Sequence, residues 1–299
     1  MAIQFPDFNK FDLNDKGLIQ QFAARFKPQF CEYNFANLFC WQNPSKLSWT
    51  IYQDRLLIYD NIDKCAFMPL GKNISVKELV NLSLDMRERG LKPNFSLVTK
   101  EYIESLPEIE KYYTITKERD HAEYIYGIAK LCDLNGRKLS KKRNLISQFK
   151  RSYPLFEIHP ISDKIKKKSF LLASRLIGKY RSCPGTLKQE LKALKTAFEC
   201  YEELGLEGIA ILVENRVIAF SVFSAQNHST WDIMFEKADV QYKGASQIIN
   251  HGTAQYLKTQ KQCQYLNREQ DLGIIGLRQA KMSYVPEKLI MPYTLTLNL

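Results

Sequence analysis

Two short stretches set the plan of this 299-residue chain. Residues 51–59 read IYQDRLLIY and residues 212–220 read LVENRVIAF, each an apolar pair, a polar pair, an arginine and an apolar run. The polar pairs Gln53-Asp54 and Glu214-Asn215 predict two-residue turns, so each stretch doubles back as two antiparallel strands. The elements after each hairpin then recur in one order: a strand, a glycine-containing turn, a helix, a short strand and another helix. In the first half these are Cys65 to Met68, Pro69-Leu70-Gly71, a helix opened by Ser75 and closed by Gly90, Phe95 to Val98, and Lys100 to Leu106. In the second they are TWDIMFEKAD, a turn at Gly244, a helix through Ile248, Ile249 and Tyr256, a strand ending Tyr265-Leu266, and a last amphipathic helix. Two further helices precede the second hairpin, at 163–180 and at 186–205, and a helix over 14–26 with Leu18, Phe22 and Phe26 inward opens the chain. This is an internal repeat carried by element order more than by identity. The fold expected is α+β in two tandem domains, 1–135 and 155–299, joined by a basic helix at 136–154.

Lys and Arg outnumber Asp and Glu by 43 to 32, a net charge of +11. An anionic partner is expected: nucleic acid, cofactor phosphates or an acidic membrane surface. On the connecting helix Leu139, Ile146, Phe149 and Tyr153 point inward, and Lys141, Lys142 and Arg143 outward, as candidate contacts to a polyanion such as tRNA. Seven cysteines, at 31, 40, 65, 132, 183, 200 and 263, are odd in number and lack a CxxC pair, which points to free thiols in a reducing cytoplasm. His121, His159, His228 and His251 lie far apart, so no metal site is expected. No apolar run approaches the ~18 residues of a membrane-spanning helix, and acidic residues stand near the N-terminus where a secretory signal has its apolar core. A cytoplasmic protein is expected, and neither a heptad nor an exposed apolar stripe argues for a dimer.

Residues 264–286, QYLNREQDLGIIGLRQAKMSYVP, concentrate charge where a strand gives way to a helix. Asp271 is placed to cap that helix, Leu272, Ile275, Leu277 and Met282 to bury a stripe, and Arg278 and Lys281 to share the other face. A strand end meeting a helix start collects ligands, because unpaired amides and the helix dipole converge there. From the neighbouring strand Asp232, Glu236 and Lys237 are expected to point at the same cleft as Asn267, Arg268 and Glu269.

The element order resembles the GNAT acyltransferase plan, in which the strand before the glycine turn and the strand after its helix splay apart to admit an acyl donor. Gln241-Tyr242-Lys243-Gly244-Ala245-Ser246 is similar to that family's Gln/Arg-x-x-Gly-x-Gly/Ala turn, with Ser246 at the third small position. The resemblance makes Gln241, Lys243, Gly244, Ala245 and Ser246 the residues that hold a donor's pyrophosphate. Pro69-Leu70-Gly71 offers fewer amides, so only the second domain is expected to bind a donor.

On EKADVQYKGASQIIN, NREQDLGIIGLRQAKMSYVP, DHAEYIY and LNGRKLSKKRN, the chain resembles relatives of the C-terminal catalytic domain of phosphatidylglycerol lysyltransferase. Such proteins are tandem GNAT-like and similar in plan to the Fem-type peptidoglycan aminoacyltransferases. The resemblance implies transfer of an acyl group, such as an amino acid from aminoacyl-tRNA, to a hydroxyl or amine. The alternatives are an acyl-CoA-dependent N-acetyltransferase and a non-catalytic module of the same fold that binds an anionic ligand. Transfer needs a base, donors for the oxyanion and an acid for the leaving group. Glu236 or Asp271 is the expected base, Tyr284 the acid, and Arg278 or Lys281 the group that grips the oxyanion or a phosphate. Lys237, Asn267, Arg268 and Glu269 are expected to line the substrate site. Plainer roles compete: Asp271 as a helix cap, Glu236 with Lys237 as an ion pair along the strand, Tyr284 as a half-buried aromatic.

Overall fold

A computed structural model describes residues 4–178 and 185–298; Cys183 and residues 179 and 180 at the end of one expected helix lie outside them. The chain forms two compact units, Met1–Glu123 with Ile290–Leu299, and Tyr124–Leu289.

Unit 1 opens with α1 (Lys16–Phe26), entered through a short turn on which Asp12 and Asp15 form a capping box. The helix is turned so that Ile19 is its buried residue. Leu18, Phe22 and Phe26, the stripe expected to face inward, are half-exposed and line a groove of 570 Å³ with Arg25, Ile51 and Arg55. After α2 (Phe35–Ser45) comes the first hairpin, β1 (Leu47–Tyr52) and β2 (Arg55–Asp60). Gln53 and Asp54 both take positive φ, 45° and 60°, which gives the tight turn its twist without a glycine. β3 (Cys65–Phe67) pairs antiparallel to β2; α3 (Val76–Glu88), capped reciprocally by Ser75 and Glu78, then crosses to β4 (Asn94–Val98), parallel to β3. α4 (Lys100–Ser105) and β5 (Tyr113–Lys117) follow. The core gathers Leu57, Leu79, Leu82, Met86, Phe95, Val98 and Tyr113.

Unit 2 begins in β6 (Glu123–Gly127), followed by α5 (Ile128–Asp133) and α6 (Ser140–Ser152). β7 (Glu157–Pro160), α7 (Asp163–Gly178) and α8 (Gly185–Glu199) lead to the second hairpin, β8 (Glu207–Val213) and β9 (Arg216–Ala225). Its turn residues Glu214 and Asn215 repeat the positive φ of the first, at 49° and 61°. β10 (Thr230–Ala238) lies antiparallel to β9, α9 (Ala245–Lys261) crosses over, and β11 (Tyr265–Asn267) runs parallel to β10. The grammar of hairpin, strand, crossover helix and parallel strand thus recurs in both units. α10 (Ile275–Met282) and β12 (Lys288–Ile290) close a sheet ordered β12-β6-β11-β10-β9-β8-β7. The helix expected to join two domains, α6, lies inside unit 2, where Ile146 and Phe149 enter the core with Ile248 and Leu257 of α9.

The last strand, β13 (Tyr293–Leu297), returns to unit 1 and inserts between β4 and β5, antiparallel to both, so that sheet reads β1-β2-β3-β4-β13-β5. Leu295 from β13 is fully buried in the unit 1 core. The division of the chain therefore falls at Glu123 and again at Leu289, against a single linear boundary near 135–155, because a strand from the far end completes the first sheet.

Glu123 closes unit 1 with a buried carboxyl whose Oε1 accepts from the Cys31 amide at 2.8 Å. Burial, then the charge of Glu32 and a hydrogen bond with it, push its pKa well above the ordinary carboxylate value. An acid that is neutral when folded and ionised when unfolded stabilises at low pH and loses that contribution as pH rises from its unfolded toward its folded pKa. Glu123→Gln keeps an acceptor for Cys31 without the titration, so urea melts across pH should show a shallower fall in stability toward neutral pH than the parent.

Candidate functional site

β10 and β11 pair over three residues, Thr230↔Tyr265, Trp231↔Leu266 and Asp232↔Asn267. Past them β10 runs on through a bulge between Ile233 and Phe235 to Ala238, whereas β11 ends, so the sheet forks. Glu236 stands on the β10 arm and Arg268 one residue beyond β11. An Arg268 Nη2 to Glu236 Oε1 ion pair of 2.8 Å joins them, with side chains 14% and 17% exposed. The Arg268 backbone N–H donates to Tyr124 O at 3.0 Å, which fixes where its side chain starts. Its guanidinium lies 5.2 Å from the ring centre of Tyr284 and 5.8 Å from that of Tyr126. Burial works against the charge, but Glu236 and the two tyrosines outweigh it and hold the Arg268 pKa above its ordinary value.

Two buried atoms of this pair, Glu236 Oε2 and Arg268 Nη1, have no hydrogen-bond partner in the protein. One is an acceptor and the other a donor, both in a site of low dielectric, where an unmet polar group costs ~1–3 kcal/mol. Tyr284 joins them from the end of α10: burial, opposed by Arg268 and a Gln247 hydrogen bond, pushes its pKa to about 12. The phenol is therefore protonated at neutral pH. Lys142 Nζ also sits over this ring, 4.2 Å from its centre, with a pKa lowered by burial and by Arg268. Lys142, expected on the outer basic face, is drawn toward this cluster; Lys141 remains exposed, and Arg143 closes the turn before α6 by donating to Gly136 O at 3.0 Å and to Leu134 O.

Lys237 points the other way, since successive strand residues face opposite sides of a sheet, and its Nζ lies 2.7 Å from Glu190 of α8. Glu236 and Lys237 thus pair with different partners on different faces. Asp271 does not cap α10, whose N-cap is Ile274. It is fully buried and accepts from Arg278 Nε at 3.0 Å and Nη2 at 2.8 Å, from the Gly273 amide at 2.9 Å, and from the Tyr124 hydroxyl at 2.5 Å. Lys281, 8% exposed, donates to Arg268 O at 2.5 Å and to Gln270 O, holding the loop that carries Arg268. Asn267 binds Gln226 Oε1 at 3.1 Å and accepts from the Glu269 amide at 2.9 Å. The fork thus brings together Glu236, Arg268 and Tyr284, while Asp271, Arg278, Lys281 and Asn267 brace the loop behind them.

With its polar face committed inward, α10 is inverted: Leu272, Ile275, Leu277 and Met282, the stripe expected to be buried, are 51%, 72%, 36% and 44% exposed. Around the glycine turn, Gln241, Lys243 and Ser246 are exposed and Gly244 and Ala245 are buried. Gly244 has φ 92°, and a Cβ there would lie 2.5 Å from Leu145 O and 3.0 Å from Phe149 Cβ of α6. The close approach of α6 is by itself sufficient reason for glycine.

Tyr124, Tyr126 and Gln247 were not singled out in the sequence as site residues. Tyr124 and Tyr126 alternate on β6, both fully buried, and a two-residue period of aromatics in DHAEYIY is the signal that marks them.

These features define an α+β protein of two GNAT-like units, the second with a forked sheet holding a buried acid–arginine–tyrosine cluster. Residues 23–296 match the family described as "Phosphatidylglycerol lysyltransferase, C-terminal", and the chain belongs to that family. A conserved protein of unknown function from Bacteroides thetaiotaomicron VPI-5482 is similar at 29% identity and a TM-score of 0.89, with 100% of both chains covered. L-PGS from Bacillus licheniformis shares the fold at 13% identity and a TM-score of 0.64, over 99% of this chain and 93% of that one. An uncharacterized protein of Mycoplasmoides gallisepticum is 24% identical over 203 residues, 64% of this chain and 63% of that protein, so the match spans less than two thirds of that relative.

Removing one partner of a buried ion pair strands the other charge. Glu236→Gln and Arg268→Gln should each cost about 3 kcal/mol by urea melting, and the double variant, with no stranded charge, should recover most of that loss.

Proposed function

We propose that this protein is an acyltransferase that moves an amino acid from aminoacyl-tRNA to a hydroxyl or amine acceptor, with its chemistry in the fork of unit 2. The observation that carries this reading is the buried pair whose Glu236 Oε2 and Arg268 Nη1 lack partners within the protein. In an attack on an ester, an acceptor O–H or N–H gives up its proton as the new bond to the carbonyl carbon forms, and the carbonyl oxygen gains charge. Glu236 Oε2 takes that proton and Arg268 Nη1 donates to the oxyanion. Collapse of the tetrahedral intermediate breaks the bond to the leaving oxygen, which takes a proton from the Tyr284 phenol. The phenolate is reprotonated from solvent, and Glu236 returns its proton there.

Asp271 makes a weaker base, since Arg278, Tyr124 and the Gly273 amide already occupy its oxygens. The basic surface supports a polyanionic donor: Lys141 is exposed at the start of α6, and the chain carries a net +11. Exposed Gln241, Lys243 and Ser246 remain the residues of the glycine turn open to a phosphate. The acyl-CoA alternative draws less support, because Gly244 and Ala245 are engaged in packing under α6.

The test is release of labelled amino acids from a mixed aminoacyl-tRNA pool by the full chain, with hydroxyl and amine acceptors supplied separately. Turnover above the buffer rate is expected. The Glu236→Gln/Arg268→Gln double variant should abolish it while remaining folded, and Tyr284→Phe should lower it about a hundredfold. Consumption of acetyl-CoA with none of aminoacyl-tRNA would replace this reading by the N-acetyltransferase, and turnover of neither by the binding module.

A further inference from the structure

The stripe that α1 keeps out of the core lines the groove in unit 1. Positions 18, 21, 22, 25 and 26 fall on one helical face, which sets Gln21 and Arg25 beside Leu18, Phe22 and Phe26. This wall is fixed at its base. Ile19 is fully buried, and Trp49 Nε1 of β1 donates to Asp15 Oδ2 at 3.2 Å, just before the helix. The Phe22 and Phe26 rings lie 6.1 Å apart with 31° between their planes, and Ile51 of β1 adds to the same apolar lining. Arg25 lies 5.2 Å from the Phe26 ring centre, so positive charge borders the aromatic wall.

The rest of the lining comes from the first hairpin and the loop after β3, and Arg55 locks these together. Its Nε donates to Lys72 O at 2.8 Å, and its Nη1 to Gln53 O at 3.3 Å and Gln53 Oε1 at 3.4 Å. Its Nη2 donates to Asn73 O at 3.2 Å and Glu78 Oε1 at 3.1 Å. Gly71 allows this packing, since a Cβ there would lie 2.5 Å from Arg55 Cγ. With its donors taken and its side chain 8% exposed, Arg55 braces the groove and is not its anion partner. That role falls to Arg25 and Lys72, the exposed cations of the lining, whose one acid is Asp54.

A groove of 570 Å³ has the size of a small-molecule site, and its chemistry narrows the occupant. An inorganic anion would leave the phenylalanines in water. A hydrocarbon would take Arg25, Lys72 and the amides of Gln4, Gln21 and Gln53 out of water with nothing to bind them. A flat ring that carries a negative group meets both demands, the ring against Phe22 and Phe26 and the charge at Arg25 and Lys72. The three glutamines are exposed, and each amide both donates and accepts, which suits the heteroatoms at the edge of a nucleobase.

We propose that this groove is a binding site for a nucleoside monophosphate, with the base on the phenylalanine wall and the phosphate between Arg25 and Lys72. The site stands in unit 1 and is independent of the acyl-transfer reading, which is tested on residues of unit 2.

The experiment is equilibrium dialysis of the full chain against AMP, GMP, CMP and UMP, with the free nucleosides, ribose phosphate, inorganic phosphate and naphthoate as comparisons. At least one nucleotide should bind with a Kd under about 1 mM, at least about tenfold tighter than its nucleoside or ribose phosphate, and more weakly as salt rises. The Arg25→Gln/Lys72→Gln variant changes two exposed side chains, so it should keep the melting temperature and lose about tenfold in affinity. Phe22→Ala should lose about as much through the ring contact. Absence of saturable nucleotide binding would overturn the proposal, as would binding that either variant leaves untouched, which would place the nucleotide elsewhere. Naphthoate binding without nucleotide binding would reassign the groove to an aryl carboxylate. A dimer that Phe22→Asp dissociates, seen by light scattering without nucleotide binding, would give the wall to a second copy of the chain.

Discussion

Three residue pairs of parallel ladder between β10 and β11 are the constraint on which unit 2 is built. Because the pairing stops at Asp232 and Asn267, the backbone groups beyond it need other partners and the strands diverge. That divergence creates the only kind of place where a sheet can hold Glu236 and Arg268 face to face without a ladder between them. The pair then imposes its own requirements. A guanidinium this deep needs aromatic faces and a fixed starting point, supplied by Tyr126, Tyr284 and the Tyr124 carbonyl. The loop carrying it needs bracing, supplied by Asp271, Arg278 and Lys281. Those demands in turn invert α10, so one short ladder reaches as far as the polarity of a surface helix.

Alternation along a strand explains why neighbours in sequence have unrelated roles. Glu236 and Lys237 are adjacent, yet one faces the fork and the other pairs with Glu190 on the far side of the sheet. The same alternation puts Tyr124 and Tyr126 on one face of β6, where the first meets Asp271 and the second Arg268.

Much of the fold was legible in the sequence, because the determining signals are local. Gln53-Asp54 and Glu214-Asn215 turn tightly even without glycine, Ser75 with Glu78 caps α3 reciprocally, and the apolar runs either side of Glu214-Asn215 double back as β8 and β9. What escaped was set by distant contacts. Periodicity gives the apolar side of α10 but not whether that side meets protein, since its orientation is fixed by Asp271, Tyr124 and two loop carbonyls. α1 shows the same limit on a smaller scale: the 18–22–26 stripe is real, but the core takes Ile19. Of the site, the sequence marks the charged block at 267–271 and Glu236. That Asp271 is saturated by donors while Glu236 keeps an unpartnered oxygen depends on side chains brought together by topology. Gly244 looked like a phosphate turn for a sound chemical reason, yet the close backbone of Leu145 accounts for the glycine on packing grounds.

The return of β13 to unit 1 has a bearing on how the protein comes to be made. Strands β4 and β5 leave a gap that no described segment of the first 123 residues fills, and the strand that fills it follows the whole of unit 2 in the chain. As the chain leaves the ribosome, the first unit to emerge cannot be the first to close its sheet. Unit 2 has every strand it needs before β13 appears, so the usual N-terminal-first order of domain completion is reversed. During that interval β4 and β5 carry open edges, which are templates for pairing with other chains until β13 arrives to cover them.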